Sequence, residues 1–233
     1  MQAPHRDADM TAQVEAIVRQ RMDGQAAGHG MDHVLRVLAS ARAIRAETGG
    51  ELEIIELAAL LHDVGDAKFH HGLERSAEFA REILSGLGAG DGVIEQVAHI
   101  VDNISFRKGV DASELSLEGK IVQDADRLDA LGAIGIVRTI EYGAAPPPGV
   151  PVQPFYVSDA GDTKTGPVKT GVGHFHEKLF KLKDLLNTDA ARQMAAERES
   201  FMRRFLDQFM RESGADSSSS NARTGTLKSQ PNQ

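Results

Sequence analysis

The sequence predicts an all-α protein. Helical periodicity runs through most segments between Thr11 and Glu212, and no credible β-alternation interrupts it. The breaks fall where Gly or Pro gathers, at Gly49-Gly50, in SGLGAGDG and in the Pro-rich stretch after Gly143. Taken in order, Thr11 can cap a first helix running to about Met22. The next helix, in MDHVLRVLASARAIRAETGG, carries Val34, Leu38 and Ala41 on one stripe and stops at Gly49-Gly50. A third helix is apolar nearly all round: Ile54, Ile55, Leu57, Ala58, Ala59, Leu60, Leu61 and Val64. Such a helix is buried. It gives way near Gly65-Asp66. Leu73 to Leu87 and Asp91 to Ser105 form two more helices, and LEGKIVQDADRLDALGAIGIVRTIEYG one long helix.

From about Gly143 to Gly173 the pattern is lost. Pro146, Pro147, Pro148, Pro151 and Pro154 forbid helix there. A loop of this length suits a lid or a binding segment. Helices resume in HFHEKLFKLKDLLNT and in DAARQMAAERESFMRRFLDQFMRE, where Phe201, Met202, Phe205 and Phe209 fit a packing surface. The chain thus divides into a flexible N-terminus (1–10), a helical domain (11–142), a Pro/Gly-rich loop (143–173), C-terminal helices on the same domain (174–212) and a disordered tail (213–233).

Composition narrows the chemistry. With 233 residues and 41% apolar content, the chain can bury one core of ordinary size. There is no Cys, which excludes disulfides, thiolate metal sites and a catalytic thiol. The net charge is -8, with 34 acidic against 26 basic residues, the wrong balance for tracking nucleic acid. No apolar leader and no membrane-length span is expected, so the expected location is cytoplasmic.

The doublet His62-Asp63 stands inside the most apolar helix. An imidazole and a carboxylate are costly there unless each finds a strong partner, and a metal ion satisfies several lone pairs at once. In the long helix, Val122, Asp126, Asp129 and Ala133 share one face, while Asp124 lies off it. The apolar neighbours leave little surface to solvate three acids, so at least one is expected to be buried. His33 sits at the margin of its helix's apolar stripe. His29, four residues earlier, gives a spacing like that of zinc proteases, but Gly30 stands where the general-base Glu must be, so that reading fails. His33, His62, Asp63 and an Asp from the long helix make a His-His-Asp-Asp set. It suits a divalent ion such as Mn, Fe, Co, Ni or Zn, with room for water and a phosphate oxygen.

The order H…HD…D, with LLHDVGD and DADRLDA, resembles the HD superfamily of metal-dependent phosphohydrolases. The segments GHGMDHVLRV, LAALLHDVGDAKF, LEGKIVQDADRLDALGAIGIVRT and HFHEKLFKLKDLLNT resemble a bacterial branch that includes small nucleotide pyrophosphatases. The resemblance spans roughly Val14 to Glu212. It implies an orthogonal helical bundle with additional C-terminal helices. It implies His33, His62, Asp63 and Asp126 as metal ligands, with Mn favoured over Mg, Co, Ni, Fe or Zn. It places Asp66 where related alarmone hydrolases carry an acid that helps activate water. The branch usually reads G-H-D-x-x-H, and Gly30 replaces that Asp; if the acid orients His29 or His33, activity or metal affinity is reduced.

Other candidates come from what phosphate needs. Lys68, Arg127 and Lys178 are cations available to it, although Arg127 points about 100° away from Asp126 and better suits a structural salt bridge. His29 suits protonation of a leaving oxygen or a surface position. Asp129 suits a hydrogen bond to a ligand residue or a buried ion pair with Arg. His174 and His176 suit a solvated helix start equally with closure over the site, and His70-His71 suits an exposed loop. The favoured activity is hydrolysis of a nucleoside triphosphate to monophosphate and pyrophosphate. A 5'-nucleotidase or phosphodiesterase on the same site, or a catalytically weak metal- and nucleotide-binding regulator, are the alternatives. The partner is a small nucleotide, not nucleic acid or membrane, and the apolar C-terminal helix suits a homodimer.

Overall fold

The computed structural model describes residues 4–22, 30–66, 70, 72–104, 112–146, 149–157 and 169–214. Every regular element among them is helical: α1 (Pro4–Arg21), α2 (Met31–Thr48), α3 (Leu52–Leu61), α4 (Ser76–Gly86), α5 (Asp91–Asn103), α6 (Leu117–Leu128), α7 (Gly132–Ala144), α8 (Gly171–Glu177) and α9 (Asp189–Glu212), with 3-10 turns at Ala112–Glu114 and Leu179–Leu185. None is long and apolar enough to cross a membrane. His29, Lys68, His71 and the tail from 215 onward lie outside the described residues.

Helix α3 is the axis of the fold. Ile54, Ile55 and the whole run Leu57–Leu61 are buried, as a helix without a polar face requires. It packs against α1, α2, α4, α5 and α6. Glu56, which interrupts this apolar run, accepts hydrogen bonds from Thr11 Oγ1 (3.2 Å) and Arg42 Nε (2.7 Å). Thr11 therefore does not start its helix. The helix begins at Pro4, and the Thr11 hydroxyl is spent on a neighbour. Val14, Val18 and Met22, four apart, form the stripe that α1 turns inward.

The stretch from α6 into α7 departs most from the sequence expectation. The expected long helix is two helices. Helix α6 ends at Leu128, with Asp129 as its C-cap, Leu131 is extended (φ -116°, ψ 163°), and Gly132 takes φ 75°, a left-handed value that favours glycine. A Cβ there would also stand 3.2 Å from the Arg198 side chain, so this glycine lets α7 turn back onto α9. Apolar periodicity continues across such a break, which is why the sequence hides it. The expected helix over HFHEKLFKLKDLLNT is likewise α8 followed by a 3-10 turn. With three residues per turn, that turn sets Leu179 and Leu182 on one side, both buried.

Asp124, off the expected acid stripe, is the most buried of the three acids, at 0% exposure. Its carboxylate accepts four hydrogen bonds: from Asn187 N (2.8 Å), Asn187 Nδ2 (2.9 Å), Thr188 N (2.8 Å) and Thr188 Oγ1 (2.8 Å). Thr188 is the N-cap of α9. Asp124 thus pins the start of α9 to α6. Burial pushes its carboxyl above the usual range, and the four donors offset part of that. The Pro-rich segment is tied down in its described part: Phe155 lies edge-on to Phe175, Phe205 and Phe209.

This lock generates a stability prediction. Asp124→Ala strands two buried backbone N–H groups and costs about 3 kcal/mol or more, a fall in melting temperature of roughly 6–12 °C by differential scanning calorimetry. Metal binding survives in the same variant at temperatures where it stays folded, because Asp124 faces α9 and not His33, His62 or Asp63.

Candidate metal centre

Three polypeptide segments bring the sequence-predicted donors together. Helix α2 delivers His33 from its first turn, where the Gly30 carbonyl accepts from His33 N (3.0 Å). The C-terminal end of α3 delivers His62, its capping residue, and Asp63 in the turn beyond. Gly65 makes that turn possible: a Cβ would stand 2.4 Å from the Arg75 backbone, whose N–H donates to the Gly65 carbonyl (2.9 Å). Helix α6 delivers Asp126 and, at its C-cap, Asp129.

The ligand atoms converge on His33 Nε2. It lies 3.2 Å from His62 Nε2, 3.5 Å from Asp63 Oδ2 and 3.5 Å from Asp126 Oδ1. His62 Nε2 lies 3.7 Å from Asp63 Oδ1 and 3.9 Å from Asp126 Oδ1. His33, His62 and Asp63 offer donor atoms all within 4.8 Å of one another. Two donors each about 2.1 Å from an ion stand about 3.0 Å apart at right angles and about 3.4 Å apart in a tetrahedron. The observed spacings run from that range to slightly beyond it. Both imidazoles are buried, while the Asp126 side chain is 40% exposed. The cluster therefore has a buried nitrogen side and an oxygen side open to solvent.

Tautomers test whether these residues fit a metal. His33 Nδ1–H donates to Asp129 Oδ2 (2.7 Å), and His62 Nδ1–H donates to the Ala59 carbonyl (2.8 Å). Each ring's proton is thereby held on the far nitrogen, so the two Nε2 lone pairs face one another. Two facing lone pairs need a proton or a cation between them. Burial disfavours charge on His33, but hydrogen bonds from it to Asp129 and Asp63 and the charge of Asp126 outweigh that, raising its pKa to about 9. A proton can thus fill the role for which the donors are arranged. The set fits a divalent ion.

Asp129 carries more than the sequence assigned it. Besides His33, its buried carboxylate accepts from Arg36 Nε (2.6 Å) and NH2 (3.1 Å) and from Arg138 NH1 (2.5 Å). Its carboxylate thus makes both a hydrogen bond to His33 and ion pairs with arginine. Burial alone would raise its carboxyl; His33 and Arg36, with the charge of Arg138, hold it well below the usual carboxylate range. Arg36 had a signal in the sequence, since it lies three residues after His33 on the same helix face. Arg138 had none, because the turn at Gly132 brings it back.

The remaining candidates fare differently. Asp66 lies in the same turn as Asp63, its N–H donating to the Asp63 carbonyl (3.2 Å), half-buried and outside the tight donor group. Among the described residues Arg127 forms no salt bridge. It donates to the Leu185 carbonyl and lines a separate pocket. Lys178 is exposed at the C-cap of α8, a helix that packs mainly on α7 and the Leu179–Leu185 turn rather than on the donor helices. His176 packs on Phe180 (ring centroids 5.3 Å apart), and His174 is half-buried on the same short helix.

Comparison with known proteins agrees with this geometry. The HD domain family model matches residues 30–131, the stretch that holds His33, His62, Asp63, Asp126 and Asp129. The uncharacterized protein YpgQ of Bacillus subtilis is 37% identical over 198 residues, covering 84% of this chain and 90% of that one. The crystal structure of an HD-superfamily hydrolase from Bacillus thuringiensis superposes with a TM-score of 0.72 at 38% identity, covering 90% of this chain and 99% of that chain. The crystal structure of B. subtilis YpgQ in complex with ADP superposes with a TM-score of 0.71 at 32% identity, covering 89% and 96%. Identity at this level along most of both chains, joined to a family match that contains every donor of the cluster, means that the chain belongs to the HD superfamily of metal-binding hydrolases.

Proposed function

We propose that this protein is a metal-dependent phosphohydrolase of nucleotides, and that its favoured reaction converts a nucleoside triphosphate to the monophosphate and pyrophosphate. The observation that carries the reading is the pair of opposed Nε2 atoms, 3.2 Å apart, flanked by Asp63 and by the half-exposed Asp126. Such a site keeps an open side for a phosphate. The nucleotide class is supported by the related YpgQ, which holds ADP in its crystal structure.

In this reading His33, His62, Asp63 and Asp126 hold the ion, with Mn favoured. A bound divalent ion supplies Lewis-acid polarisation of a phosphoryl oxygen and makes water acidic enough to react near neutrality. The chain's own groups do the rest. Asp66 accepts the proton as the water oxygen bonds to the α-phosphorus. The bond from that phosphorus to the α,β-bridging oxygen breaks, and His29 gives a proton to the departing pyrophosphate. Lys68 and Lys178 are cations for the substrate's phosphates. Asp129 keeps the Nδ1–H tautomer of His33, so that Nε2 stays available to the ion.

Metal-stripped protein reloaded with Mn releases pyrophosphate from nucleoside triphosphates, and Asp63→Ala abolishes the release. Orthophosphate from monophosphates, or a linearised cyclic nucleotide, would instead favour a nucleotidase or a phosphodiesterase. Ligand-induced stabilisation without turnover would favour a regulator.

Asp129→Asn, which removes the charge behind His33, weakens Mn binding by roughly 10- to 100-fold in calorimetric titration. An unchanged affinity would remove Asp129 from the metal's support. Gly30→Asp supplies an N-cap carboxylate to α2 at a backbone conformation (φ -85°, ψ -176°) that any residue adopts. It raises stability by a few tenths of a kcal/mol, and Mn affinity rises with it if an acid at this position orients His33. A variant that binds Mn no better assigns the glycine to helix capping alone.

A further inference from the structure

Arg127, set aside from the metal cluster, has its own setting. It lies with Lys120 and Gln123 on one flank of α6, and these three face Asp184, Asn187 and Arg192 across a pocket of about 500 Å³. That volume suits a small molecule of nucleotide size or less. Three cations meet one carboxylate there, in a chain whose net charge is -8.

Two of the three cations lack a matching anion. Arg127 is half-buried and donates to a neutral carbonyl, that of Leu185. Among the described residues no carboxylate forms an ion pair with it or with Lys120. Arg192 is paired with its own helix's Asp189 and with the Asn187 carbonyl (3.1 Å). The wall, by contrast, is already satisfied. Gln123 Nε2 donates to the Ile104 carbonyl (3.2 Å), and Gln123 Oε1 accepts from Asn187 Nδ2 (2.9 Å). A rigid polar wall with undercompensated cations is arranged for an anion that arrives from outside.

We propose that this pocket is a second binding site, distinct from the metal centre, for the phosphate groups of a polyphosphate anion. Among the described residues the lining contains no aromatic side chain on which a base could stack. Recognition therefore falls on the phosphates, and free pyrophosphate and a nucleoside triphosphate bind alike. The site shares α6 with the metal centre. Arg127 neighbours Asp126 in sequence, and Asn187 is bonded to Asp124. The inference does not depend on which bond the metal centre cleaves.

The test uses the full chain carrying Asp63→Ala, stripped of metal, and titrates it calorimetrically with pyrophosphate, ATP and adenosine. Pyrophosphate and ATP bind with affinities within about threefold of each other, and adenosine does not bind. Adding Lys120→Glu weakens pyrophosphate at least about tenfold, while Lys120→Arg stays within about threefold. Arg192→Gln, read the same way, serves if Lys120→Glu melts early. Absence of pyrophosphate binding in Asp63→Ala overturns the proposal. So does binding that survives Lys120→Glu unchanged, or adenosine binding as well as ATP. None of these results bears on pyrophosphate release by the Mn-loaded wild type, so the two readings fail separately.

Discussion

The hydrogen bond from His33 to Asp129 is the interaction on which the rest depends. It joins α2 to the end of α6 across a buried space and sets which nitrogen of His33 faces the cluster. A lone buried carboxylate would be costly there. Arg36 and Arg138 make it tolerable, one from the same helix as His33 and one from α7. The position of α7 thus matters to a centre it does not enter. Chain reversal at Gly132 brings Arg138 back to Asp129, and Arg198 of α9 reinforces the same corner by donating to the Leu128 carbonyl. The metal cluster is held from behind by a charged knot that ties four helices.

Three aspartates within six residues, at the end of α6, do three different things. Asp124 is sealed from solvent and pins the start of α9. Asp126, half-exposed, presents an oxygen to both imidazoles. Asp129 stands behind His33. Helical geometry separates Asp124 from the other two: at about 100° per residue it lies roughly 160° from Asp126, whereas Asp129 lies roughly 60° from Asp126 and meets the other ring nitrogen of the same His33. The intervening Arg127 looks toward the cationic pocket. One short helix therefore serves the metal centre, the C-terminal packing and a separate charged cleft.

Packing of α3 explains the precision of the donor turn. Its side chains are buried on nearly all sides, so the helix has no freedom to rotate without exposing Leu or Ile. His62 and Asp63 come directly after its last turn and inherit that fixity. Gly65 then lets the chain pass close to the start of α4, which closes the turn from outside. The cluster's nitrogen side is buried, and its oxygen side is open to solvent.

The all-α class was legible in the sequence, and so were the His and Asp residues that the fold gathers around His33. An imidazole-carboxylate doublet in an apolar helix contradicts the solvation cost of both groups, and that contradiction needs no coordinates to be seen. His33 and the acids of the DADRLDA stretch came from the same cost and from a motif resemblance. Periodicity also located α2, α3 and α9. It failed at Asp129–Gly132 and at Lys178, because an apolar pattern runs on across a break that only a left-handed glycine or a 3-10 turn produces. It gave the burial of at least one of the three Asp residues but not which lies deepest. Facing a neighbouring element is decided by what packs there, and α9 arrives at Asp124 from more than sixty residues away. Local patterns record the free energy of burying or solvating a side chain. Partners such as Arg138, Asn187 and Thr188 come from distant segments, and only the tertiary fold selects them.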